Sequence, residues 1–174
     1  MDTPQYAFDI FKKHFDATAW ETLAGRSVLE LGPGNSGLTA LFARVFDARC
    51  TWMIDVEALA SQDAGLFAQA ERMILERNLP VPGVGKCQSV DIILERLNSF
   101  YLTKGLESLR TIPDGQIDFL FSNAVLEHIR LAHFEELIAE TRRVLKPNGI
   151  ASHVIDFRDH LQHGLNNLRF SERV

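Results

Sequence analysis

The stretch VLELGPGNSGLTALFA, residues 28–43, constrains this chain more than any other. An apolar run broken only by Glu30 leads into Gly32, Gly34 and Gly37, and then into apolar residues at helical spacing. That order reads as a buried strand, a tight turn and an amphipathic helix with Leu38, Leu41, Phe42 and Val45 facing inward. A second apolar strand, CTWMID, follows, and a strand-turn-helix-strand order implies parallel strands joined by a right-handed crossover. Three glycines in one turn are costly unless something must approach the backbone closely, so the turn points to a ligand at the mouth of the first strand.

The rest of the chain repeats the rhythm. Phe8, Phe11 and Phe15 share one helical face and predict a leading helix over 4–23, either a cover for the sheet edge or a lid over the ligand. Residues 57–98 read as a helical insertion broken at NLPVPGVGK, where two prolines and two glycines force a loop. FYLTKG and IDFLFSN are the third and fourth strands. A helix from about residue 133 to 145 places Phe134, Leu137, Ile138, Thr141 and Val144 on one side, with Glu135 and Glu136 at its start. Arg142, Arg143 and Lys146 lie at its end, as the helix dipole favours. KPNG stops it, and IASHVID is the fifth strand. The expected architecture is one α/β domain over 1–174, a doubly wound, mainly parallel Rossmann-like sheet with helices on both faces.

Composition limits the partners. With 46% apolar and 24% charged residues and a net charge of −5, the chain is an ordinary soluble globule without a field to attract nucleic acid or an anionic membrane. No apolar run reaches membrane-spanning length and the first sixteen residues are too charged for a signal peptide, so a cytoplasmic location is expected. Cys50 and Cys87 form no metal-like cluster and are expected to be packed thiols.

Two ligands compete for the turn. Gly32, Gly34 and Gly37 have the G-x-G-x-x-G spacing of dinucleotide sites, and Asp55 lies where a ribose-binding acid belongs, which favours a nicotinamide or flavin enzyme. Glu30 opposes that reading, because a carboxylate at the strand's mouth repels a pyrophosphate and suits an α-ammonium or a sulfonium. No hydride-transfer pattern such as Tyr-x-x-x-Lys is recognisable.

Over residues 27–156 the sequence resembles the class I S-adenosylmethionine-dependent methyltransferases. VLELGPGNSG is similar to that family's acid and glycine loop under the methionine moiety, and MIDVE to its ribose-holding acid. DFLFSNAVLEHI is similar to the fourth strand and pocket loop, and RRVLKPNGI to the helix, turn and fifth strand. The resemblance implies S-adenosylmethionine as cofactor, held by Glu30, Gly32, Gly34, Asn35, Gly37, Asp55, Ser122 and Asn123. It also implies an adenine-reading acid after the third strand, for which Glu107, beside Leu106, is the candidate. The last loop glycine comes one residue later than in the commonest family pattern. The family's final two strands have no counterpart before the chain stops at FSERV, so truncation within the tail 157–174 is expected, with an open sheet edge able to self-associate.

For the methyl acceptor, SNAVLEH replaces the N-P-P-aromatic pattern of amide and adenine methylation, which leaves oxygen, carbon or other nitrogen acceptors; a small molecule methylated at oxygen is the expectation, and a non-catalytic methyltransferase-like binding module the alternative. His128 is the candidate base or acceptor-positioning residue, against the alternative that it caps a turn. Asp156, Asp159 and His160, after the fifth strand, are the candidate acceptor contacts. His153 and His163 add density, but strand alternation separates His153 from Asp156, so no metal is expected.

Overall fold

The structure, a computed structural model, describes residues 3–158 together with 164 and 165. Its centre is a five-stranded sheet made of β1 (Ser27–Leu31), β2 (Cys50–Ile54), β3 (Ser99–Leu102), β4 (Ile117–Asn123) and β5 (Leu145–Val154), in the order β3-β2-β1-β4-β5. All four pairings are parallel. The helices are α1 (Pro4–Asp16), α2 (Thr39–Val45), α3 (Ala64–Glu76), α4 (Val90–Arg96), α5 (Leu106–Arg110) and α6 (Leu131–Val144), with a 3-10 turn at Leu126–His128.

Strand alternation builds two cores. Val28, Met53, Phe119 and Phe121 face the side covered by α1, α2, α3 and α4. Leu29, Leu31, Ile54 and Leu120 face the side covered by α5 and α6. Buried on both faces, the middle strands read as continuous apolar runs, which is why the sequence showed them clearly. Helix α1 does not cover a sheet edge. It lies across the face, with Phe8 edge-on to Phe42 at 5.2 Å and Phe11 edge-on to Phe121 at 6.1 Å. It ends at Asp16, well short of residue 23, because Thr18 turns back to the Phe15 carbonyl and Ala19 takes a left-handed φ of 57°.

The helical stretch expected as an insertion is the crossover from β2 to β3. Its Phe67, Ile74, Val84 and Ile93 belong to the core shared with α1 and α2. The loop at its centre is pinned by Glu71, a buried carboxylate that accepts the Val84 N–H at 2.7 Å and the Gly85 N–H at 2.8 Å. Helix α6 runs into β5 with no intervening loop, and KPNG lies inside the strand as an irregularity. Ile117 pairs with Leu145 and Phe119 with Ile150, so four residues of β5 stand opposite one of β4. At that end of the sheet Asp118 accepts the Ser27 N–H at 2.9 Å and both of its oxygens lie 2.8 Å from Lys146 Nζ, tying β1, β4 and β5 together.

Glu71→Ala strands two backbone donors, one of them buried. It is expected to cost roughly 2–4 kcal/mol, read as a fall of about 5–10 °C in the thermal midpoint.

Candidate active site

Sheet order reverses direction between β1 and β4, and the crevice outside the carboxyl ends of those strands is where an open α/β sheet receives a ligand. Two cavities lie there. The first, about 460 Å³, is walled by Leu31, Ile54, Leu106, Leu109 and Leu137, with Asp55, Glu107 and His128 among its polar positions. Lys104, Arg110, Arg130, His133 and Glu136 also line it. The second, about 260 Å³, is lined by Glu30, Gly34, Ser36, Thr39 and Asn123, and by Tyr6 and Ile10 of α1. Gly32 and Val125 line both, so the cavities meet at that pair.

The glycine turn makes this geometry. Gly32 has φ +70° and Gly34 φ +62°, the left-handed region that glycine enters without steric cost. At Gly32 the second reason is contact: an added Cβ would lie 2.4 Å from Val125 Cγ2. Val125 arrives there because Ala124, itself at φ 53°, turns the chain sharply after β4 while its N–H bonds the Val154 carbonyl at 2.8 Å. A β-carbon residue in that region stores strain of the kind that collects at functional sites.

Asp55 is 7% exposed, and its carboxylate is fixed by the Val56 N–H at 2.8 Å and the Gly34 N–H at 3.1 Å. Each oxygen thus has one backbone donor, and a carboxylate has capacity for about four. Glu30, also 7% exposed, points to the opposite face of β1 from Leu29 and Leu31, and so into the second cavity. The two acids expected to share one ligand therefore sit in different chambers, bridged by the turn.

A buried polar group lies behind the second cavity. His14 of α1 is 1% exposed, with Nδ1 2.8 Å from Ser152 Oγ of β5 and its ring 5.0 Å from that of Phe121. Burial, then the nearby Lys13 charge, lowers its pKa to about 4; a side-chain approach by Asn123 opposes this and His153 adds slightly to it. His153 Nδ1 lies 2.8 Å from Ser122 Oγ, and burial lowers its pKa as well.

The profile of the family described as "Methyltransferase domain" matches residues 29–152. The chain belongs to that family. A search of the curated proteins returns no match. Among solved structures, this methyltransferase domain is similar to an S-adenosylmethionine-dependent methyltransferase from Aquifex aeolicus, with a TM-score of 0.52 and 16% identity over 94% of this chain and 78% of that one. One from Mesorhizobium loti gives 0.50 and 14% over 88% and 53%. Phosphoethanolamine N-methyltransferase 2 of Haemonchus contortus, in complex with phosphomonomethylethanolamine and S-adenosylhomocysteine, gives 0.51 and 15% over 84% and 28%. At these identities the likeness is one of fold, and the chain spans only 28% of the Haemonchus protein and 53% of the Mesorhizobium one.

The methyltransferase domain brings most of the expected site together. Glu30, Gly32, Gly34 and Asn123 line the second cavity; Gly32, Asp55, Glu107 and His128 line the first. Other expected residues stand apart. Ser122 is fully buried against His153 and lines neither cavity, because β4 alternation sends it to the opposite face from Asn123. Gly37 is buried, lines neither cavity and has no positive φ, and an added Cβ there would meet Met53 and Phe67 only at ordinary contact distance, so nothing in the packing requires glycine at this position. Asn35 is exposed and its carbonyl accepts the Ser61 N–H at 3.0 Å. Asp156 forms a bidentate pair with Arg158, its N–H donates to Glu127 Oε1 at 3.2 Å, and it lines neither cavity. Asp159 and His160 lie outside the described residues. No group of three metal-ligating side chains converges among the described residues. The sequence reading missed Tyr6, Ile10 and His14, whose spacing along one helical stripe beside the phenylalanine face was the available signal.

Gly32→Ala is expected to destabilise the domain by about 1–3 kcal/mol from positive φ and collision with Val125. It should also reduce ligand affinity more than the exposed Asn35→Ala, as calorimetric titration will show. Acid behaviour follows from the imidazoles. Because the folded pKa of His14 is depressed to about 4, its contribution is complete above the ordinary histidine pKa of about 6.5. It is lost as pH falls from there through the folded value, to a limit of roughly 3 kcal/mol. Urea unfolding of wild type and His14→Phe at pH 7.5 and 4.5 is expected to show a smaller acid loss in the variant.

Proposed function

We propose that this domain binds S-adenosylmethionine and directs its methyl group to a small-molecule acceptor at oxygen. The observation that carries the reading is Glu30, a buried carboxylate beside the glycine turn in the second cavity. A pyrophosphate there meets an unfavourable charge at low dielectric, whereas an ammonium or sulfonium gains from it. The donor set fits the cofactor at both ends. Leu106, Leu109 and Leu137 give a purine apolar walls, and Asp55 has acceptor capacity for ribose hydroxyls. Glu30, Ser36, Thr39 and Asn123 suit the amino-acid end.

S-Adenosylmethionine, when bound, supplies an electrophilic methyl group on a sulfonium. The chain's own work is alignment and exclusion of water. Gly32 and Val125 line both chambers, and Tyr6 and Ile10 line the second one. A hydroxyl acceptor needs a base, and His128 at the first cavity is the imidazole we assign to hold that proton. Glu107 is assigned to the adenine amino group, and Asp156, which lines neither cavity and pairs with Arg158, is given no acceptor contact. The Haemonchus relative acts, by its name, on nitrogen of a small phosphorylated amine; the reading of oxygen here rests on His128 as the base, and the absence of an N-P-P-aromatic loop argues only against amide and adenine nitrogen. The free thiols Cys50 and Cys87 suit a reducing cytoplasm.

Calorimetric titration with S-adenosylhomocysteine, and with NADH in parallel, tests the reading. Binding of the homocysteine product without NADH is expected, and Glu30→Gln is expected to weaken it about 10–100-fold. NADH binding alone, or equal affinity in Glu30→Gln, removes the basis for the sulfonium.

A further inference from the structure

Between Asp55 and the start of α3 at Ala64 the chain has neither helix nor strand. Its backbone groups therefore need partners from elsewhere. Packing holds this loop only weakly, because residues 56–59 are all exposed, Val56 at 69% and Leu59 at 44%. Tyr101 of β3 supplies what packing does not. Its hydroxyl accepts the Leu59 N–H at 3.0 Å and the Ala60 N–H at 3.1 Å, and donates to the Glu57 carbonyl at 3.2 Å. The Leu59 N–H is shared with that same carbonyl. One phenol thus serves three backbone groups of a single loop, while its ring packs against the core shared by α1, α2, α3 and α4.

The loop has two further tethers, and both lead to the ligand crevice. At its near end the Val56 N–H donates to Asp55 Oδ1 at 2.8 Å. At its far end the Ser61 N–H donates to the Asn35 carbonyl of the glycine turn at 3.0 Å. Val56 lines the first cavity beside Asp55, whereas Tyr101 lines neither cavity. We propose that Tyr101 is a positioning residue for Asp55. The phenol fixes the loop, the loop holds the Val56 N–H against Oδ1, and the carboxylate keeps its remaining acceptor positions for the first cavity. Selection of a ribosylated ligand therefore depends on a hydroxyl that touches no ligand. The inference rests on the proposed cofactor reading only for the ribose; the hydrogen bonds from Tyr101 to the loop and from the loop to Asp55 belong to the chain itself.

Tyr101→Phe keeps the ring and removes the hydroxyl, and circular dichroism confirms its fold. The first arm, on the full chain without ligand, follows amide hydrogen exchange at Val56, Leu59 and Ala60, with Met53 of β2 as internal reference. Exchange faster by about fivefold or more at all three, with Met53 unchanged, is expected. Unchanged exchange at Val56 overturns the inference whether or not any ligand binds. The second arm titrates S-adenosylhomocysteine and its 2′,3′-dideoxyribose analogue into both proteins. The wild-type preference for the ribose hydroxyls is expected to shrink about five- to tenfold in Tyr101→Phe, with the dideoxy analogue bound within about twofold of wild type. A general loosening of the fold weakens both ligands alike, and that outcome, or an unchanged preference, overturns the inference. A wild type that binds neither ligand sinks the cofactor reading instead, and the exchange arm then decides this one.

Discussion

The site depends on one contact, the approach of Val125 to Gly32 across the point where sheet order reverses. Any side chain at position 32 is strained, because its Cβ would collide with the Val125 side chain and the backbone has a left-handed φ. Two turns that leave parallel neighbours at the same level would otherwise diverge into solvent. Here the left-handed Ala124 folds the second turn over the first, and a single open crevice becomes two chambers with a waist. The division has an electrostatic counterpart. Asp55 serves one chamber and Glu30 the other, so two buried carboxylates work near one turn without facing the same space.

Helix α1 belongs to the site as much as to the core. Its phenylalanines anchor it over β1 and β4, while the neighbouring stripe carries Tyr6 and Ile10 to the second chamber and His14 to the strands beneath. One amphipathic helix thus contributes both to the core and to the wall of a cavity, from adjacent faces of the same turns. Of the two alternatives raised by its sequence, the cover for a sheet edge gives way to packing across the sheet face, while Tyr6 and Ile10 stand at the wall of the second chamber.

Much of the fold was legible because buried parallel strands are written as apolar runs. SVLEL, CTWMI and IDFLFSN appear in the structure nearly as they read in the chain. The site was legible where a residue type is expensive: Glu30 in an apolar strand and the glycines at a turn. It was obscure where side-chain direction decides. Ser122 and Asn123 are neighbours in sequence but face opposite cores, and only the register separates a ligand contact from a packed hydroxyl. Gly37 completes the expected spacing yet lines neither cavity, and a Cβ there would fit at ordinary contact distance, so the spacing alone does not make it a ligand contact. Ile138 shares the helical face of Leu137 and Thr141 in projection but is 40% exposed, since α6 packs over a narrower stripe than its apolar pattern suggests.

The irregularity in β5 has a consequence for the border of the sheet. A strand that lies beside another needs an unbroken row of amide groups at constant spacing. In β5 that row is interrupted where residues 146–149 stand opposite Asp118 alone, and Pro147 has no N–H to offer. Any strand that adds to the outer side, whether from this chain or from a second copy, finds a regular ladder only along residues 150–154. The bulge thereby confines the regular ladder on that outer side to the end of the sheet at which the ligand chambers lie.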